Sequence, residues 1–198
     1  MPQIDFWYSI GSTYTFLTVM RLRDYAESHG VRVNWRPFDV RRIMIEQNNI
    51  PFRDKPAKRA YMWRDIERRS EKYGLHARLP APYPIRDMAL ANQVAILAMR
   101  EGWGEHYTME TYRLWFRDGL PAGEDPNLSE AIFRCDRDPM AVIERAKTEE
   151  IVQALETETD HARDLGIFGA PSFTVDGELF WGDDRLEDAV SWARFGHV

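Results

Sequence analysis

Three short stretches of the 198-residue chain carry side chains whose types and settings could do chemistry. In Gly11-Ser12-Thr13, Ser12 stands just ahead of a helical run, and two readings are open. Its hydroxyl can cap the helix. A hydroxyl at a helix N-terminus can also donate a hydrogen bond to a bound thiolate and so lower that thiol's pKa. Serine is too weakly acidic to attack without a base, and the sequence offers no obvious one. In Gly169-Ala170-Pro171-Ser172 an X-Pro step enters a strand. The simple reading is a strand-start proline. A cis bond is also a plausible device there, leaving the N–H and C=O of Ala170 free to pair with an extended, peptide-like ligand. In Gly182-Asp183-Asp184-Arg185 the two acids precede the last helix. They can cap it, or one can take an ammonium while free N–H groups take a carboxylate. A γ-glutamyl group is a zwitterion of that kind.

Composition narrows the chemistry. Cys135 is the single cysteine, so no intramolecular disulfide, no C-x-x-C pair and no cysteine-rich zinc site can form. Dithiol redox chemistry is thereby removed, and Cys135 reads as a small structural residue. Any thiol chemistry needs a borrowed thiol. The histidines (His29, His76, His106, His161 and His197) are scattered without metal-ligand spacing, and no metal is expected. His161 reads as a buried helix residue or a site group. No P-loop, dinucleotide fingerprint or G-x-S-x-G elbow occurs. A net charge of −6 argues against nucleic acid as a partner. Arg64, Arg68 and Arg69 could bind an anion, but with Asp65, Glu67 and Glu71 interleaved they read as a solvated helix face. The N-terminus lacks the basic and apolar segments of a secretory signal, and no window nears the ~20 apolar residues of a membrane span. A cytoplasmic protein without membrane contact is expected.

The elements that must position these residues follow from periodicity. Residues 3–8 read as a buried strand, 13–29 as one helix stopped by Gly30, and 31–38 as a second strand: a βαβ unit with parallel strands. Near the other end, residues 150–165 read as a helix and 172–175 and 178–181 as strands joined by the Asp176-Gly177 turn. A last helix follows from about 184 to 193, with Asp183 placed to cap it. Joined, the ends give the thioredoxin order of elements around a mixed four-stranded sheet. Between them the pattern is helical, with candidates at 56–73, 86–100, 105–118, 128–134 and 139–147. The expected fold is therefore an α/β thioredoxin-like domain from 1–39 and 149–198, with a helical subdomain inserted at 40–148. In that fold the three stretches would meet, in the order and roles of a glutathione site.

The same residues resemble the 2-hydroxychromene-2-carboxylate isomerase and kappa-class glutathione transferase family, of the DsbA-like branch of thioredoxin folds. The opening DFWYSIGSTYTFL at 5–17 is similar to the family's DFYFDFxSPYSYL, and Ser12 falls on its active-site serine. PAKRAYMWRD at 56–65 resembles PAKxxYxxRD; FGAP at 168–171 and FWGDDR at 180–185 resemble FGxPxF and xFWGxDR. The resemblance implies glutathione as cofactor, with Ser12 on its sulfur, Ala170 and Pro171 on its backbone and Asp184, with Asp183 beside it, at its γ-glutamyl end. It also implies a loop asparagine, placed at Asn49 with Asn48 adjacent, and a homodimer. The activity implied is isomerisation of a small aromatic carboxylate in aromatic-compound degradation. Its rivals are a kappa-like transferase or peroxidase acting on another electrophile, and a non-catalytic binding module. Lys58 is the candidate partner for the substrate carboxylate. Trp7, Tyr14, Tyr61 and Tyr83 could line an aromatic pocket, core packing being the simpler reading of Trp7. Two departures stand out: Ser12 is followed by Thr13 where the family has proline, and Asp183 stands where relatives often have Asn or Ser.

Overall fold

A computed structural model describes residues 1–52 and 54–198. Strand β1 (Gln3–Tyr8) lies at the centre of the sheet, which runs β2-β1-β3-β4 with β2 at Arg32–Pro37, β3 at Ser172–Val175 and β4 at Glu178–Trp181. β1 pairs with β2 in parallel, and β1–β3 and β3–β4 are antiparallel, which is the mixed sheet expected. β1 is apolar on both faces because both are covered, and Ile4, Phe6, Trp7 and Tyr8 are fully buried. Phe6 stacks on Phe173 of β3 at 5.5 Å between ring centroids, fixing the pairing from the side-chain layer. Asp176 and Gly177 both take positive φ, as a two-residue hairpin turn needs.

The crossover from β1 to β2 is two helices, α1 (Thr15–Val19) and α2 (Leu22–Ser28), where one was expected. The chain breaks at Arg21, whose guanidinium is held by the carbonyl of Asp183 at 2.6 Å and by the Glu187 carboxylate. A helix the periodicity did not reveal, α3 (Val40–Glu46), follows β2 and is capped by Asp39, whose side chain accepts from the N–H groups of Arg41 and Arg42. Next come α4 (Pro56–Lys72), α5 (Met88–Arg100), α6 (Gly104–Phe116), α7 (Asn127–Phe133) and α8 (Pro139–Ala146), close to the expected bounds. Helix α9 (Glu149–Asp164) leads back to the sheet. The final helix α10 (Leu186–Phe195) begins after a 3-10 turn at Asp183–Arg185, and no side chain caps it, so the capping expected of Asp183 is not made.

The helices between β2 and α9 share their apolar core with the sheet. Phe16 of α1 stacks on Phe116 of α6 at 4.2 Å, and one continuous buried cluster runs from β1 through α5 and α6 to α9 and α10. Cys135 is buried in it, its thiol pushed up to about 11 by desolvation. His161 is exposed, not buried: Arg36 hydrogen-bonds its ring at 2.9 Å, and the ring stands edge-on to Trp7. No helix among the described residues is long and apolar enough to cross a membrane.

Candidate functional site

The site begins where β1 ends. The turn from Ser9 to Ser12 is pinned from two helices. Asn92 of α5 accepts from the N–H of Ile10 at 2.8 Å and donates to the carbonyls of Ile10 (3.1 Å) and Met88 (2.8 Å). The Tyr112 hydroxyl of α6 lies within hydrogen-bond reach of the carbonyls of Ser9 (3.1 Å) and Ser12 (3.0 Å). Gly11 has φ +125° and faces Met88, whose terminal carbon would lie 2.5 Å from an added Cβ, so the turn needs glycine here. Ser12 does not cap a helix. Helix α1 starts three residues later, at Thr15, with no side-chain cap. The Ser12 hydroxyl donates instead to the carbonyl of Ala170 at 2.7 Å. Thr13, the departure from the family pattern, is buried and directs its hydroxyl at the Met62 sulfur at 3.0 Å.

Ala170 belongs to the second stretch, and its bond to Pro171 is cis, which decides between the two readings open there. The carbonyl of Pro171 accepts from the N–H of Gly182 at 2.9 Å, which ties the third stretch to the second. The Trp181 indole closes over Gly169, where any side chain would collide with it.

In the third stretch the two acids separate. Asp184 is exposed, with Arg185 at 3.2 Å. Asp183 is 3% exposed, and its carboxylate accepts from Arg69 of α4 at 2.7 Å and 3.0 Å. Burial pushes the Asp183 carboxyl up to about 6, with Arg69 and Arg21 pulling the other way. Arg69 therefore faces inward, donating also to the Tyr73 hydroxyl at 3.0 Å, while Arg64 and Arg68 stay exposed as expected of a solvated face.

Two cavities flank this junction and share Tyr14, Ala170 and Trp181 as a common wall. The smaller, about 480 Å³, has charged side chains on its walls, in Asp65, Arg69, Asp183, Asp184 and Arg185, with Pro171 beside them. The larger, about 510 Å³, is mainly apolar and contains Ser12, Asn49, Lys58, Tyr61 and Tyr83. Every site residue expected from the sequence thus lines one cavity or the other, and Asn49 does so where Asn48 does not. Trp7 is a core residue that donates to the Thr174 hydroxyl at 2.9 Å. On the shared wall, the Tyr14 hydroxyl donates to Asp65 at 3.0 Å; burial and that acid raise its pKa, so the phenol stays protonated. Tyr83 stands edge-on to Phe52 and Trp63, and burial raises its pKa as well. Among the described residues, no group of His, Cys, Asp or Glu could hold a metal ion.

Sequence reading did not single out Asn92, Tyr112, Asp65 or Arg41 for this site. Asn92 did leave a signal: it is a polar residue on the apolar face of MALANQVAILA, a position that must be hydrogen-bonded if buried. Arg69 left none, because its helix neighbours alternate in charge on both sides.

Ser12, just past the end of β1, thus stands opposite the cis Ala170-Pro171 turn of a thioredoxin-type sheet. The chain belongs to the DSBA-like thioredoxin domain family, whose model matches residues 3–191. It is 28% identical over 196 residues to a 2-hydroxychromene-2-carboxylate isomerase of Sphingobium xenophagum, covering 96% of each chain. It is 23% identical to Glutathione S-transferase kappa 1 of Caenorhabditis elegans, covering 94% of this chain and 88% of that one. A solved 2-hydroxychromene-2-carboxylate isomerase superposes with a TM-score of 0.82 at 21% identity, over 93% of this chain and 91% of that one. The resemblance read from the motifs is borne out at the level of family and fold.

Proposed function

We propose that this chain is a glutathione-dependent isomerase acting on 2-hydroxychromene-2-carboxylate or a related small aromatic carboxylate. The observation that carries the reading is the contact of the Ser12 hydroxyl with the Ala170 carbonyl at 2.7 Å. A hydroxyl has one proton to give. If Ser12 turns it toward a ligand, the Ala170 carbonyl is left needing a donor. A cysteinyl residue answers both needs, accepting from Ser12 at a thiolate and donating its backbone N–H to Ala170. The cavity with charged walls beside that junction suits a γ-glutamyl zwitterion. Asp184 is exposed there for an ammonium, and Arg69, anchored by Asp183, presents a guanidinium for a carboxylate. Similarity to the isomerase and the kappa transferase supports glutathione as the tripeptide.

Bound glutathione supplies a nucleophilic sulfur that can add reversibly to an activated double bond. The protein's part is electrostatic and spatial. Ser12 holds negative charge on the sulfur, while Tyr14 spends its own proton on Asp65 and serves as a wall common to both cavities. Asn49 and Lys58 face the larger cavity, Lys58 for a substrate carboxylate, and Tyr14 and Tyr83 flank a flat ring. The apolar lining excludes water that would hydrate the thiolate. Titrating glutathione against the protein is the test, followed by the absorbance change of the chromene carboxylate. Saturable binding and conversion of the chromene are expected; absence of binding at millimolar glutathione would leave only a binding module.

A further inference from the structure

The two cavities divide the site's charge unevenly. All the acids lie on the smaller cavity, in Asp65, Asp183 and Asp184, where they meet Arg69 and Arg185. Among the described residues no acid lines the larger one, where two cations, Arg41 and Lys58, stand among largely apolar neighbours. Neither cation forms an ion pair among the described residues. The contrast with the next residue is direct, since Arg42 is taken by Glu46 at 3.4 Å and Asp160 at 3.8 Å. Arg41 leaves the first turn of α3 from a backbone position fixed by Asp39, which accepts its N–H at 3.0 Å. Its charge is felt inside the cavity, where it opposes the effect of burial on the Tyr83 phenol.

We infer that Arg41 is a specificity-determining residue that selects an anionic co-substrate, a carboxylate on a flat apolar body, for the larger cavity. The inference rests on the reading of that cavity as the co-substrate's lobe, and deepens it. A guanidinium without an acidic partner, set in an apolar wall, offers two parallel donors that match the two oxygens of a carboxylate. The ring then lies among Met44, Phe52, Tyr83 and Trp181, which line the same space. An uncharged ligand of the same shape gains the apolar contacts but leaves the guanidinium unanswered. Lys58 supplies a second positive charge but, as a point charge over the Phe52 ring at 5.7 Å, imposes no such planar match.

The test needs no turnover. Binding of 2-naphthoate and of uncharged 2-naphthamide is followed by quenching of tryptophan fluorescence, Trp181 being in the cavity wall. Naphthoate is expected to bind the parent protein more tightly than naphthamide. Arg41→Gln should weaken naphthoate about tenfold, the cost of one partly exposed charge-assisted contact, and leave naphthamide unchanged. Arg41→Lys should restore part of the loss. Glutathione affinity should be the same in the parent and Arg41→Gln. Equal binding of the two probes by the parent, no binding of naphthoate, or an unchanged naphthoate affinity in Arg41→Gln would overturn the proposal. So would a loss confined to glutathione, which would give Arg41 to the tripeptide instead. Failure of glutathione to bind the parent at all would overturn the isomerase reading while leaving the two-probe comparison to stand or fall alone.

Discussion

A hydroxyl and an acid set the behaviour of the site residue by residue. Ser12 gives its one proton to the Ala170 carbonyl, and in the proposed function that proton would turn to a bound thiolate. The acid is Asp183, whose carboxyl is raised from an ordinary 3.8 to about 6 by burial. A raised acid favours the folded state while protonated. Its contribution is complete below the unfolded value of 3.8 and is lost as pH rises through about 6. Urea unfolding of the parent and of Asp183→Asn across that window should show the parent losing relative stability on the order of 3 kcal/mol as pH rises, then a flat difference above it. A constant difference at every pH would contradict the burial assigned to this acid. Ser12, Ala170 and Asp184 could be picked out from the sequence because each sits at a marked place, a strand end, an X-Pro step or a helix start. Arg69 could not. Only the third dimension shows that one member of a charged run points inward.

Within elements, the strands and the tail hairpin were plain because short aromatic runs and an Asp-Gly turn are local signals. The break between α1 and α2 was not, since Arg21 leaves the helical path to meet partners more than 160 positions away. Helix α3 escaped because Arg41, Arg42 and Glu46 leave its seven residues only a short apolar run, in which helix and strand periods are not told apart. The Ser9–Ser12 turn depends on elements that sequence order does not connect. Replacing Asn92 with Ala strands the buried N–H of Ile10, and a loss of about 2 kcal/mol is expected in denaturant unfolding. Gly11→Ala should cost as much or more, because φ +125° and the Met88 contact act together. Near-parental midpoints for both would show that the turn holds itself.

At the scale of the molecule, the two cavities meet at Tyr14, Ala170 and Trp181, and under the proposed function they would give a tripeptide and a flat co-substrate adjoining places. A ligand that binds only the folded state adds to its stability. Glutathione at a hundred times its Kd should therefore contribute roughly 2.7 kcal/mol, a rise in Tm of about 5–10 °C. A reduced tripeptide lacking the γ-linkage should give a smaller rise, because it cannot present the same zwitterion to Asp184 and Arg69; equal rises would contradict the role of that lobe. The claim on which the rest depends is that Ser12 stabilises a borrowed thiolate. It is tested most directly by titrating the ultraviolet absorption of protein-bound glutathione thiolate against pH in the parent and in Ser12→Ala. The parent should hold the thiol at least about one pH unit below free glutathione, and Ser12→Ala should return most of that shift. An identical titration in both proteins would contradict it.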